Sequence, residues 1–155
     1  MDQSHYLIFE ETVFNYLTQL EIMRALRYQN YVTLLLMEPD QSINNTRKFE
    51  GLAKILRDEL RSTDVLGRVN HVRFGAILIH ANLESAYLAG ERIRSRIQDY
   101  FYINDGGLTI SIGGACCPSN GTSTDLLTNL AENMLNSAKE TGGNHTFFPK
   151  LVEEL

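Results

Sequence analysis

The sequence predicts an α/β sandwich, a mixed β-sheet with helices packed over it, on three observations. Short apolar runs alternate with longer segments of three-and-four periodicity, in the order helix, strand, helix, hairpin, helix, strand, helix, strand. One pair of strand-like runs is separated only by Asn70-His71-Val72, which sets a tight hairpin into the alternation. The run from Tyr31 to Met37 is apolar without interruption, as in a strand covered on both faces.

The first helix is predicted over residues 6–28, with Phe9, Val13, Leu17, Leu20 and Met23 on one face at spacings of three and four. The first strand comes next, and Pro39 ends it. A second helix runs from about Arg47 to Arg61, with Phe49, Leu52, Ile55, Leu56 and Leu60 on its apolar side. Val65–Val69 and Arg73–Ile79 form the hairpin, in which Asn70 tolerates a left-handed turn. A third helix spans about Leu83 to Tyr100, and Gly106-Gly107 separates it from the next strand. In that strand Leu108 to Gly113 alternates as expected. Ser123 or Thr124 caps a fourth helix reaching about Glu140, which Gly142-Gly143 stops. His145 to Phe148 forms a last edge strand.

The 155 residues suit one domain, 1–155, with the first helix leading into a core at about 29–150. A hydrophobic fraction of 43% supports an ordinary core, and 21% charged residues argues against disorder. The net charge of -5 argues against a DNA-binding protein, which usually carries a basic surplus. Arg61, Arg68, Arg73, Arg92, Arg94 and Arg96 nevertheless fall in one stretch. The adjacent Cys116 and Cys117 suggest neither a disulfide framework nor a zinc site and read as packing residues. A reducing, cytoplasmic setting is expected, and no apolar run is long enough for a membrane span. The histidines His5, His71, His80 and His145 show no metal-ligand spacing, and no metal is expected.

Several segments, taken in order, resemble the bacterial GGDEF family, the diguanylate cyclases. They are Arg27-Tyr28 with Tyr31 to Asp40, Arg61-Ser-Thr-Asp64-Val-Leu-Gly-Arg68, Phe74-Gly-Ala-Ile-Leu78, Gly90-Glu-Arg-Ile-Arg94, Leu108 to Ala115, and Ala138 to Asn144. The resemblance covers about residues 23–147. It implies a ferredoxin-like palm of the nucleotide-cyclase type, with a mixed central sheet flanked by helices.

At the family's signature, Gly-Gly-Asp/Glu-Glu-Phe, this chain reads Asn70-His71-Val72-Arg73-Phe74. The family's glycines let the backbone approach nucleotide phosphates, and side chains obstruct that approach. Its acidic residues hold divalent cations, which require carboxylate oxygens. Glu38 falls where the family places its first metal-binding aspartate, and its signature partner is Arg73. Arg73 is expected to bond Glu38 across the hairpin, with a guanidinium in place of the metal. The guanine-binding segment between the first strand and the second helix is shortened, and Asn44 and Asn45 substitute for it poorly. Gly143 stands at a family arginine, and Lys139 reads as a solvated helix-end cation. The degenerate site therefore comprises Glu38, Asn70, His71, Val72 and Arg73, with no catalytic residue and no magnesium.

Arg61 and Asp64 match the family's Arg-x-x-Asp product-binding element, the I-site, and Arg92 falls where the next helix supplies a further arginine. The chemistry stands without the resemblance. A carboxylate can accept both donors of a guanine Watson–Crick edge, and arginine forks match phosphate oxygens and stack on purines. Against that, Arg61 suits the last turn of a helix, Asp64 suits a turn, and Arg92 suits a solvated face. Two functions are expected on this basis. One is a catalytically inactive GGDEF-like receptor for cyclic di-GMP, bound by Arg61, Asp64 and Arg92, with the ligand promoting a homodimer or contact with a signalling partner. The other is a protein-interaction or dimerisation module without nucleotide binding.

Overall fold

The computed structural model describes residues 8–103 and 106–150. Its elements run α1 (Glu11–Tyr28), β1 (Val32–Pro39), α2 (Thr46–Glu59), β2 (Val65–Arg68), β3 (Phe74–Ile79), α3 (Leu83–Ile103), β4 (Ile110–Cys117), α4 (Thr124–Glu140) and β5 (Thr146–Phe147). Among the described residues the sheet has five strands in the order β2-β3-β1-β4-β5. All neighbours are antiparallel except β4 and β5.

The central strand, β1, divides its side chains between two cores by strict alternation. Leu35 and Met37 enter a core with Leu52 and Leu56 of α2 and Ile93 and Ile97 of α3. Val32, Leu34 and Leu36 enter the opposite core with Phe14 and Ile22 of α1 and Leu127 and Leu135 of α4. Burial on both faces accounts for the unbroken apolar run. Cys116 and Cys117 are fully buried in β4 as packing residues, and burial pushes the Cys117 thiol up.

Helix α4 brings its backbone against the sheet where β4 carries glycine. A Cβ on Gly113 would collide with the Leu135 backbone nitrogen and the Ala131 carbonyl oxygen, and would stand 2.8 Å from the Leu135 Cα. A second glycine seat serves α1. Gly67 and Gly75 face each other across β2 and β3, and the Phe14 ring lies over both, 2.5 Å from where either Cβ would stand. Phe14→Ala empties this seat and is expected to cost about 3–5 kcal/mol, read as a lower urea midpoint.

The first helix departs from expectation at its start and on its face. Residues 6 and 7 lie outside the described residues. Phe9 is not helical: it pairs with Gly67 at the sheet margin, giving and receiving backbone hydrogen bonds with Leu66 and Arg68. Glu10 caps α1 by accepting from the Thr12 amide at 2.6 Å. The face against the sheet is Phe14, Thr18, Ile22 and Ala25, whereas Val13, Tyr16 and Met23 are exposed. The helix is apolar on two sides, and the glycine seat for Phe14 selects which side is buried. Other corrections are smaller. Helix α2 ends at Glu59, so Arg61 lies beyond it, and α3 continues to Ile103. Asn70 does not adopt a left-handed conformation. Near the end of α3, Phe101 is buried, while Tyr102 is 84% exposed.

Candidate functional site

The β2–β3 hairpin is closed by its own side chains. Asn70 Oδ1 accepts from the amides of Val72 and Arg73, both at 2.9 Å, an Asx-type turn that replaces the flexibility glycines would supply. Arg68 folds back over the hairpin. Its Nε donates to the Asn70 carbonyl at 3.2 Å, and its guanidinium lies over Phe49 and Phe74, 5.0 and 4.9 Å from the ring centroids. Burial lowers the Arg68 pKa. His71 and Val72 are exposed at the tip. A recess of about 250 Å³ lies beneath, lined by Glu38, Asp40, Phe49, Arg68, His71 and Val72 among others.

Glu38 sits at the end of β1, where the hairpin and the last turn of α4 converge. Arg73 donates from Nε and Nη2 to Glu38 Oε1, each at 3.3 Å, as its place opposite Glu38 predicts. The other oxygen, Oε2, accepts from Lys139 Nζ at 2.7 Å. Lys139 is thus a partner of Glu38 rather than a solvated cation. Arg73 also meets Glu132 of α4 at 3.5 Å. The nearby Asp40 carboxylate is committed to Thr109 Oγ1 at 2.7 Å, Ser111 Oγ at 2.6 Å and the Asn144 amide at 2.9 Å.

The divalent cations implied by the resemblance do not fit this donor set. Both Glu38 oxygens face cationic side chains, and Asp40 is held by hydroxyls and an amide. A metal would have to displace a guanidinium and an ammonium and then face both charges. Among the described residues, no three His, Cys, Asp or Glu side chains are grouped to hold a metal ion. Glu38→Gln removes the anion that the largely buried Arg73 shares with the exposed Lys139, leaving Arg73 with Glu132 alone. It is expected to destabilise the fold by about 2–4 kcal/mol in urea titration.

A second recess, also of about 250 Å³, lies on the opposite end of the hairpin and brings together Arg61, Asp64 and Arg92 with Glu59, His80 and Ser85. The three side chains differ in their readiness for a ligand. The Asp64 side chain is only 4% exposed. Its Oδ2 accepts the Arg61 amide and its Oδ1 the Ile79 amide, both at 3.0 Å, so the carboxylate staples the turn to β3. The Arg61 side chain is 61% exposed, approaching Asp64 at 3.6 Å and donating to the Ile79 carbonyl. Arg92 reaches from α3 to α2, with Nε on Glu59 Oε1 at 2.9 Å and Nη2 on the Glu59 carbonyl at 3.1 Å.

Two further arginines shape this region. Arg57 Nη2 donates to the carbonyls of Arg61 and Asp64, at 2.8 and 3.3 Å. Burial lowers its pKa, opposed by the charges of Asp64 and Asp58. Arg96 Nη1 holds Glu59 Oε2 at 2.6 Å. The four-residue spacing of Arg92 and Arg96 places them on one helix face, but nothing in the sequence couples that face to Glu59.

The family described as "Diguanylate cyclase, GGDEF domain" matches residues 11–145. The Bacillus subtilis (strain 168) protein YhcK is 35% identical over 102 residues, which is 63% of this chain and 28% of YhcK. The chain spans less than a third of the length of the curated relatives it matches. Among solved structures, the active GGEEF domain of a diguanylate cyclase from Vibrio cholerae superposes with a TM-score of 0.83 at 17% identity, covering 93% of this chain and 99% of that one. The GGDEF domain of DgcB from Caulobacter crescentus, in complex with c-di-GMP, gives 0.80 at 15% identity and 91% coverage of both chains. At these identities the superpositions speak for the fold.

Proposed function

This chain belongs to the GGDEF domain family, and from that premise we propose that it is a catalytically silent member that acts as a receptor for cyclic di-GMP. The observation that carries the proposal is the contrast between the two recesses. At the first, cations pair with the carboxylate that would hold metal, and the hairpin tip presents His71 and Val72 instead of bare backbone. At the second, Arg61, Asp64 and Arg92 line one concavity of mixed charge. The DgcB domain, of the same fold, is known in complex with c-di-GMP, which makes that dinucleotide the natural ligand to test.

The residues take distinct roles in this reading. Arg61, whose side chain is mostly exposed, can give up the Ile79 carbonyl to turn its guanidinium onto a guanine or a phosphate. Asp64, buried with both oxygens on the Arg61 and Ile79 amides, fixes the position of Arg61 through the backbone. Arg92 supplies a second fork for phosphate. No step passes through GTP or magnesium. Titration calorimetry on wild type and Arg61→Ala tests the proposal. Wild type is expected to release heat, and Arg61→Ala to bind about tenfold to a hundredfold more weakly, the worth of charged hydrogen bonds. Equal heats for the two proteins would end it. Incubation with GTP and magnesium or manganese is expected to yield no cyclic dinucleotide on chromatography.

The exposed side of α1 favours a second reading, an interaction module. Val13, Tyr16 and Met23, with the half-buried Leu20, lie at spacings of three, four and three along that side. Such a seam suits a helix from another copy or a partner. If association runs through it and the chain is such a module, Tyr16→Glu with Met23→Glu shifts the light-scattering mass to the monomer, and cyclic di-GMP neither gives heat nor alters that mass.

A further inference from the structure

Glu59 occupies an unfavourable position and is held there by two arginines. It is the last residue of α2, where the helix dipole opposes a negative charge. Its side chain is nevertheless only 11% exposed, because Oε1 accepts from Arg92 at 2.9 Å and Oε2 from Arg96 at 2.6 Å. Both arginines remain more than half exposed, at 56% and 54%. One carboxylate therefore satisfies two guanidiniums whose outer sides face water. Glu59 and Arg92 both line the recess that holds Arg61, and Arg96 approaches from one turn further along α3.

We infer that Glu59 is a built-in competitor for the ligand's phosphate, and that Arg96 is an additional phosphate-binding residue released with Arg92 when Glu59 is displaced. The inference rests on the receptor reading and specifies how that site is regulated. A phosphodiester matches the carboxylate in charge and offers two oxygens of similar geometry, so it can replace Glu59 across the same pair of guanidiniums. The exchange replaces one anion by another across the two arginines and sends the Glu59 carboxylate into water. The displaced carboxylate sets a threshold: the dinucleotide binds only at concentrations that overcome the internal ion pairs. Arg92 stays anchored meanwhile, because its Nη2 holds the Glu59 backbone carbonyl, which no side-chain change removes.

The test is calorimetric titration of cyclic di-GMP into wild type, Glu59→Gln, Glu59→Ala and the double variant Glu59→Gln/Arg96→Ala. Thermal melts confirm that each is folded. Both single variants are expected to bind about tenfold or more tightly than wild type, and the double variant to lose most of that gain. Binding by wild type that Glu59→Gln and Glu59→Ala leave equal or weaken overturns the inference while the receptor reading stands. A gain that survives loss of Arg96 overturns the role given to that residue. Absence of heat from every protein overturns the receptor reading and this inference with it.

Discussion

Gly113→Ala is expected to lower stability by about 3 kcal/mol or more, a large share of the 5–15 kcal/mol that holds a domain of ordinary size. The added methyl meets backbone on α4, the Leu135 nitrogen and the Ala131 carbonyl oxygen, so no rotamer change relieves it. Helix α4 must lift from the sheet, which opens the core around Leu127, Ala131 and Leu135. Lifting α4 also separates Lys139 and Glu132 from Glu38 and Arg73. Urea denaturation measures the loss, and a variant within about 0.5 kcal/mol of wild type would show that α4 does not depend on this crossing.

Asp64→Ala is expected to cost about 2–4 kcal/mol and, under the receptor proposal, to abolish cyclic di-GMP binding as well. Its two oxygens serve the amides of Arg61 and Ile79, and each donor left without a partner costs about 1–3 kcal/mol. The turn that presents Arg61 then loses its tie to β3. Hydrogen exchange locates the damage: protection at the Ile79 amide should fall well beyond the global loss of stability. Unchanged protection at Ile79 would mean that the staple contributes nothing. Asp64→Asn should fall between, since its amide oxygen can serve Ile79 while its NH2 group opposes the Arg61 donor.

The central strand and its burial are legible in the sequence because hydrophobic continuity is a local property, whereas β4, read as alternating over Leu108–Gly113, is buried throughout Ile110–Cys117. The run ending at Met37 reports two covered faces, and β1 has them. The ion pair between Arg73 and Glu38 is legible because hairpin geometry and family position place them opposite each other. That of Lys139 is not, since its approach to Glu38 spans 101 residues and depends on how closely α4 docks. The buried side of α1 escapes the sequence for a related reason. Periodicity finds apolar stripes but cannot weigh one against another, and the choice is made by Gly67 and Gly75, far along the chain. At the second recess, the resemblance to the family groups Arg61, Asp64 and Arg92. It does not distinguish a carboxylate open to a ligand from one already stapling an amide 15 residues away. The cross-helix hold of Arg92 and Arg96 on Glu59 is equally invisible, because it arises where α2 and α3 meet.

The seating of Phe14 on two glycines has a mechanical consequence. Just upstream, Phe9 bonds the edge of β2 through Leu66 and Arg68, so the start of α1 grips this strand at two points. Asp64 immediately precedes β2, and Arg68 ends it. One short strand thus ties the head of α1 to both recesses, since Arg68 at its end lines the first and Asp64 just before it lines the second.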